Sequence, residues 1–209
     1  MQGSLKAILF DADGVIQRPA VDYASALAKL VALQREDLDS LLAEIFAAER
    51  PTLIDGGDFA AHLEPTLSRW NLAHRLEDVL RIWTDIETDT AMLASVASLR
   101  SLGLVCCLAT NQQAFRGRQM SETLGYRDIF DSEFYSYQLG VAKPAPEYFR
   151  FIIERLDLAP SDILFIDDHE PNVAAARGVG LNAAVFTATT KTSTAALRTI
   201  LSRHHVQFP

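Results

Sequence analysis

The run LKAILFDADGV, residues Leu5–Val15, is a short apolar stretch that ends in two carboxylates one residue apart, Asp11 and Asp13, before a turn at Gly14. Six residues suit a buried strand, and open α/β sheets keep their chemistry at the C-terminal ends of such strands. Carboxylates held there are costly unless a cation or a proton offsets them. Three further polar clusters have comparable settings. Thr110-Asn111 follows the apolar run Leu104–Ala109, Asp167-Asp168 follows Ile163–Ile166, and Lys143-Pro144 precedes an amphipathic segment. Taken singly, each also fits a plain role: a strand exit and helix cap for Thr110-Asn111, a solvated lysine for Lys143, capping acids ahead of Pro171 for Asp167-Asp168. Taken together on one sheet edge, three or four carboxylates make a hard-oxygen site suited to magnesium. A lysine and a hydroxyl beside it can hold phosphoryl oxygens. One aspartate is then placed to attack phosphorus and another to handle a proton.

The elements that must position these groups follow from periodicity. Leu5–Phe10, Leu104–Ala109, Ile163–Ile166 and Asn182–Phe186 read as buried parallel strands, with Glu133–Tyr137 as a weaker fifth. Amphipathic segments at Ala91–Leu102, Phe115–Leu124, Pro146–Leu156 and Pro171–Val179 alternate with them, and the tail beyond Thr187 reads as one more helix. The alternation predicts a doubly wound α/β parallel sheet. Between about Arg18 and Glu87 the rhythm changes to Ala-, Leu- and Glu-rich helices, Asp22–Leu33, Asp37–Glu49, Asp58–Trp70 and Leu76–Ile86, with no strand-like run. Asp58 is an expected N-cap and Pro51 an expected helix stop. The division expected is a core of residues 1–16 and 88–209, interrupted at 17–87 by an all-helical cap overhanging the sheet edge.

The motifs DADGV (Asp11–Val15), ATN (Ala109–Asn111), GVAKPAPEYF (Gly140–Phe149) and FIDDHEPNVAAARGVG (Phe165–Gly180), in this order, resemble those of the haloacid dehalogenase superfamily, in its phosphatase branch with a helical cap inserted after the first motif. The resemblance covers residues 5 to 187. It implies a Rossmann-like fold and a Mg2+-dependent phosphatase that works through an aspartyl-phosphate. By that resemblance Asp11 is the nucleophile. Asp13 protonates the leaving alcohol, then activates water, and lends its main-chain carbonyl to the metal. Thr110 and Asn111 hold the phosphoryl group, Lys143 neutralises it, and Asp167 and Asp168 complete a metal set with Asp11 and Asp13. The residues themselves ask for a split in protonation: Asp11 ionised beside magnesium and Lys143, Asp13 able to hold a proton. The last motif departs from the common form, with adjacent aspartates followed by Pro171 and Asn172.

Other functions are set apart by the same residues. A sugar-phosphate mutase returns the phosphoryl group to its substrate, and Ile16–Pro19 do not match the pattern expected of one. A dehalogenase has no need of an acid at position 13. A phospho-receiver switch carries its acidic pair early, its phosphorylated aspartate mid-chain, and no cap.

Composition bounds the rest. The chain has 209 residues, a net charge of −8 and a pI near 5.1, which disfavours general nucleic-acid affinity. A small phosphorylated metabolite is the expected partner, and no window approaches a membrane span. The N-terminus lacks a secretory pattern, and Cys106 and Cys107 read as small buried hydrophobes, so a cytoplasmic protein is expected. No feature calls for an obligate subunit interface; a monomer fits.

Overall fold

The computed structural model describes residues 5–31 and 33–207; residues 1–4, Ala32 (within the helix expected over Asp22–Leu33) and residues 208–209 lie outside them. In chain order, β1 (Ala7–Phe10) is followed by β2 (Gln17–Pro19) and four helices, α1 (Tyr23–Leu30), α2 (Arg35–Asp55), α3 (Phe59–Arg69) and α4 (Leu76–Thr84). Next come β3 (Ile86–Thr88), α5 (Thr90–Ser101), β4 (Val105–Thr110), α6 (Ala114–Arg118), α7 (Tyr126–Ile129), β5 (Ser132–Tyr135) and α8 (Ser136–Leu139). The chain ends with α9 (Pro146–Leu156), β6 (Ile163–Asp167), α10 (Glu170–Gly178), β7 (Asn182–Val185) and α11 (Ser193–Ser202).

Five strands form one parallel sheet in the order β5-β4-β1-β6-β7, an α/β fold with β1 at its centre. The three inner strands, β4, β1 and β6, read as apolar runs because both faces are covered. Alternate residues serve opposite layers. Ile8, Phe10, Cys106, Leu108, Leu164 and Ile166 join the layer carrying α5, α7 and α11. Ala7, Leu9, Cys107, Ala109, Ile163 and Phe165 join the layer carrying α9 and α10. The adjacent cysteines are thus free, buried and on opposite faces. Each large side chain buried here contributes about 1.5–3 kcal/mol relative to exposure. Chain order reverses on either side of β1, so the crevice outside the strand C-termini opens beside Asp11.

Helices α1 to α4 have a separate core that includes Leu27, Leu41, Ile45, Phe59, Leu63, Leu67, Val79 and Trp83. Trp83 is its centre: the Tyr23 ring stacks on it at 4.6 Å, and its indole N–H donates to Glu49 Oε1 at 3.0 Å. Two expectations change in this region. Short strands do occur: β2 and β3 pair antiparallel, Arg18 opposite Glu87, at the points where the chain enters and leaves the helical segment. Three residues apiece are too few to show a period of two. Pro51 does not stop its helix either, since α2 runs on to Asp55 and ends at left-handed Gly56, φ 66°. A missing donor inside a helix costs about 3 kcal/mol. Packing carries α2 past it: the helix lies against α3 and α8, Thr52 is buried with its hydroxyl on the Glu49 carbonyl, and a Cβ on Gly56 would sit 3.5 Å from the Tyr137 carbonyl. The helix expected over Phe115–Leu124 is also divided, into α6 and a π turn at Gln119–Thr123. Among the described residues no helix is long and apolar enough to cross a membrane.

Candidate active site

Asp11 leaves β1 with its backbone still in the ladder, its N–H donating to the Ile166 carbonyl at 2.9 Å. The chain then folds tightly on itself. The Ala12 carbonyl accepts from the N–H groups of Val15, Ile16 and Gln17, and Gly14 N–H donates to the Gln17 carbonyl. Gly14 makes the turn with φ 81°, and a Cβ there would lie 2.1 Å from Asp168 Oδ2 and 2.5 Å from its Cγ. The glycine therefore lets the first acidic cluster close on the last. Gly14→Ala should strain the turn by about 1–2 kcal/mol and push Asp168 out of the cluster. Magnesium titration followed by thermal shift should then show at least a tenfold weaker metal response.

Lys143 is the hub of the buried charges. Its ammonium lies 2.8 Å from Asp11 Oδ1 and 2.6 Å from Asp167 Oδ2, with side-chain exposures of 1%, 11% and 0% in that order. Burial opposes the Lys143 charge, but the two carboxylates overcome this and raise its pKa above the ordinary value. Asn111 holds the lysine backbone: its Nδ2 donates to the Lys143 carbonyl and its Oδ1 accepts the Lys143 N–H, at 2.8 and 2.9 Å. The amide expected at the phosphate is thus occupied in placing Lys143. Asn172 Nδ2 donates to both Asp167 oxygens, at 3.1 and 3.0 Å, and the His169 N–H adds a third bond at 2.7 Å. Asn172, where a further acid was the common form, orients Asp167 instead. Thr110 is buried at the end of β4, its hydroxyl accepting from Gln112 Nε2 at 3.2 Å.

Burial pushes Asp11 up to about 6, with Lys143 pulling down and Asp167 pushing up. Asp168 is also raised, by burial and then by Asp167, although it is the exposed member of the cluster. Asp13 moves the other way. Burial works against its charge, yet the Arg116 guanidinium and hydrogen bonds from Arg116, Gln112 and Gln17 hold its carboxyl below the usual range. The sequence asks for an Asp13 able to hold a proton, whereas its surroundings favour the carboxylate. The cause is Arg116, buried on α6, which pairs bidentately with Asp13 at 2.5 and 2.7 Å. No local signal marks it: an arginine in an amphipathic segment ordinarily faces water. Gln112 Nε2 also reaches Asp13 Oδ2, at 2.8 Å.

One carboxylate oxygen from each of Asp11, Asp167 and Asp168 lies within 4.8 Å of the others, an all-oxygen donor set that suits a hard divalent cation. The Asp13 side chain is outside that set, turned to Arg116. A buried carboxylate, a buried ammonium, a hydroxyl and an all-oxygen donor set on one edge are parts that phosphoryl transfer can use.

A family model described as haloacid dehalogenase-like hydrolase matches residues 5–180. The D-ribitol-5-phosphate phosphatase of Bacteroides thetaiotaomicron is 28% identical over 188 residues, covering 84% of this chain and 89% of that one. The phosphorylated carbohydrates phosphatase of Thermotoga maritima is 22% identical over 183 residues, covering 85% and 82%. The rat bifunctional epoxide hydrolase 2 is 28% identical over 125 residues, and this chain matches only 21% of its length. Among solved structures, a HAD family enzyme of B. thetaiotaomicron in complex with magnesium and inorganic phosphate superimposes with a TM-score of 0.72 at 21% identity, covering 88% of this chain and 96% of the other.

Proposed function

This chain belongs to the haloacid dehalogenase-like hydrolases, whose family model spans residues 5–180, and on that premise we propose that it is a Mg2+-dependent phosphatase acting on a small phosphorylated metabolite, a sugar or polyol phosphate. The observation that carries this reading is the buried Lys143 ammonium held between Asp11 and Asp167 beside Thr110. Two relatives named for phosphorylated carbohydrates, aligned over most of both chains, supply the substrate class.

Asp11 attacks phosphorus and becomes phosphorylated. Lys143 and Thr110 orient the phosphoryl oxygens, and Lys143 offsets the charge that gathers on them. Asp13 gives a proton to the leaving alcohol oxygen. As the carboxylate it then takes one from the water that cleaves the aspartyl-phosphate. The Arg116 fork and the Gln112 and Gln17 amides favour this second, carboxylate form. Magnesium, when bound by Asp11, Asp167 and Asp168 with the Asp13 carbonyl, supplies further charge neutralisation. The helices of residues 17–87 form the cap that limits access to small substrates.

A screen of phosphorylated metabolites with magnesium tests the substrate class. Release of inorganic phosphate from pentose and pentitol phosphates should lead the panel, and an isomerised phosphosugar with little free phosphate would indicate a mutase instead.

The raised pKa of Asp11 adds a pH prediction. The folded protein holds this proton more tightly than the unfolded chain, so its contribution to stability is present at low pH and lost as pH rises from 3.8 through about 6. A divalent cation competes for the same carboxylate. Thermal shifts should show magnesium raising Tm by several degrees at pH 7.5 and by less than about one degree at pH 5. Equal shifts at both pH values would contradict Asp11 as a ligand.

A further inference from the structure

Arg116 spends its hydrogen bonds in two directions. NH1 and NH2 grip the Asp13 carboxylate, and NH1 also donates to Gln112 Oε1 at 2.9 Å. Its Nε donates to the Trp83 carbonyl at 2.9 Å. Trp83 lies in the last turn of α4, where carbonyls have no intrahelical donor and the helix dipole favours a cation. One buried side chain therefore joins the end of a cap helix to the carboxylate expected to transfer the proton. A guanidinium fork also fixes the plane of the carboxylate it pairs with, which a single-point ammonium does not.

Asp13 has no free acceptor site in this arrangement. Oδ1 receives Arg116 NH2 at 2.7 Å and Gln17 Nε2 at 3.2 Å; Oδ2 receives Arg116 NH1 and Gln112 Nε2 at 2.5 and 2.8 Å. A carboxylate offers about four lone-pair sites, and four donors fill them. An oxygen that hydrogen-bonds Asp13 at one of these sites takes the place of a donor. Gln17 makes the longest of the four contacts, and its Nε2 is shared with Met120 Sδ at 3.5 Å.

We propose that Arg116 is the positioning residue through which the cap sets the orientation of Asp13 for proton transfer, keeping its bidentate grip while the leaving oxygen, and later the attacking water, takes the place of Gln17 on Oδ1. The inference rests on the acid–base role of Asp13 in the function proposed above. In the first step the Asp13 proton passes to the leaving oxygen as its bond to phosphorus breaks. In the second, water oxygen bonds to phosphorus, its proton goes to Asp13, and the Asp11 oxygen departs with the electron pair.

The test compares kcat/KM, which reports steps up to aspartyl-phosphate formation, for two leaving groups. A pentitol 5-phosphate releases an alkoxide that needs a proton; p-nitrophenyl phosphate releases a phenolate that does not. Arg116→Ala and Arg116→Lys should each lower the alkyl-to-aryl ratio of kcat/KM at least tenfold, and added guanidinium ion should restore part of it in the alanine variant. The lysine variant keeps the buried charge and decides the matter if the alanine variant does not fold. Asp13→Asn, measured alongside, should shift the ratio at least as far. If Asp13→Asn shifts it and neither Arg116 variant does, or if the Arg116 variants lower both substrates in equal proportion, Arg116 is not a positioning residue. If Asp13→Asn leaves the ratio at its wild-type value, the proton-transfer role fails and the Arg116 inference with it.

Discussion

Asp11→Asn loses at least about 10⁴-fold in phosphatase turnover and melts no lower than the wild-type protein at pH 7.5. The first half follows from the chemistry: an amide cannot form the acyl phosphate, and no other carboxylate occupies the place of Asp11 at the end of β1. The second half follows from burial. Asp11 is pushed up to about 6, so the folded state disfavours its ionised form, and a neutral isostere removes that burden. Lys143 keeps a carboxylate partner in Asp167, 2.6 Å away, so the change leaves no buried ammonium unpaired. Turnover assays and thermal unfolding on one preparation check both halves. Near-wild-type turnover would remove Asp11 from the nucleophilic role.

Lys143→Met has the opposite stability signature. It leaves Asp11 and Asp167 buried without their shared cation, and breaking a buried pair in this way costs about 3–5 kcal/mol. Asn172 and the His169 N–H still satisfy Asp167, which limits the damage to charge rather than hydrogen bonding. Magnesium should recover part of the lost Tm, since a divalent cation offsets the same carboxylates. It should not recover turnover, which is expected to fall about 10³-fold, the scale of a lost transition-state stabiliser. Denaturant unfolding with and without magnesium, paired with kcat, separates the two effects. Full recovery of turnover by magnesium would show that Lys143 serves only to balance charge.

The sheet was legible because its strands, buried on both faces, are written as continuous apolar runs such as Ala7–Phe10 and Ile163–Ile166. Parallel strands open on one edge, so acids at their ends had to meet, and Asp11, Asp167 and Asp168 do meet. What stayed hidden depends on contacts distant in sequence. Arg116 is buried with its guanidinium on the Trp83 carbonyl of α4, a contact between residues 33 apart that no local pattern records. The lowering of the Asp13 carboxyl follows from its pair with Arg116, across 103 positions. Pro51 and the three-residue strands β2 and β3 fail local rules for the same reason: packing against α3 and α8, and the pairing of Gln17–Pro19 with Ile86–Thr88, decide them. The role of Asn111 in placing Lys143 likewise needs the fold, since 32 residues separate them.

The central claim is that Asp11 carries the phosphoryl group. Rapid quench of the magnesium-loaded enzyme with ³²P-labelled pentitol phosphate, with tritiated borohydride reduction and peptide mapping of a parallel sample, tests it most directly. The account predicts hydroxylamine-labile ³²P on the enzyme that appears before free phosphate, and tritium that maps to position 11, both absent from Asp11→Asn. Label on any other residue, or inversion of configuration at phosphorus with no labelled enzyme at any quench time, would contradict it.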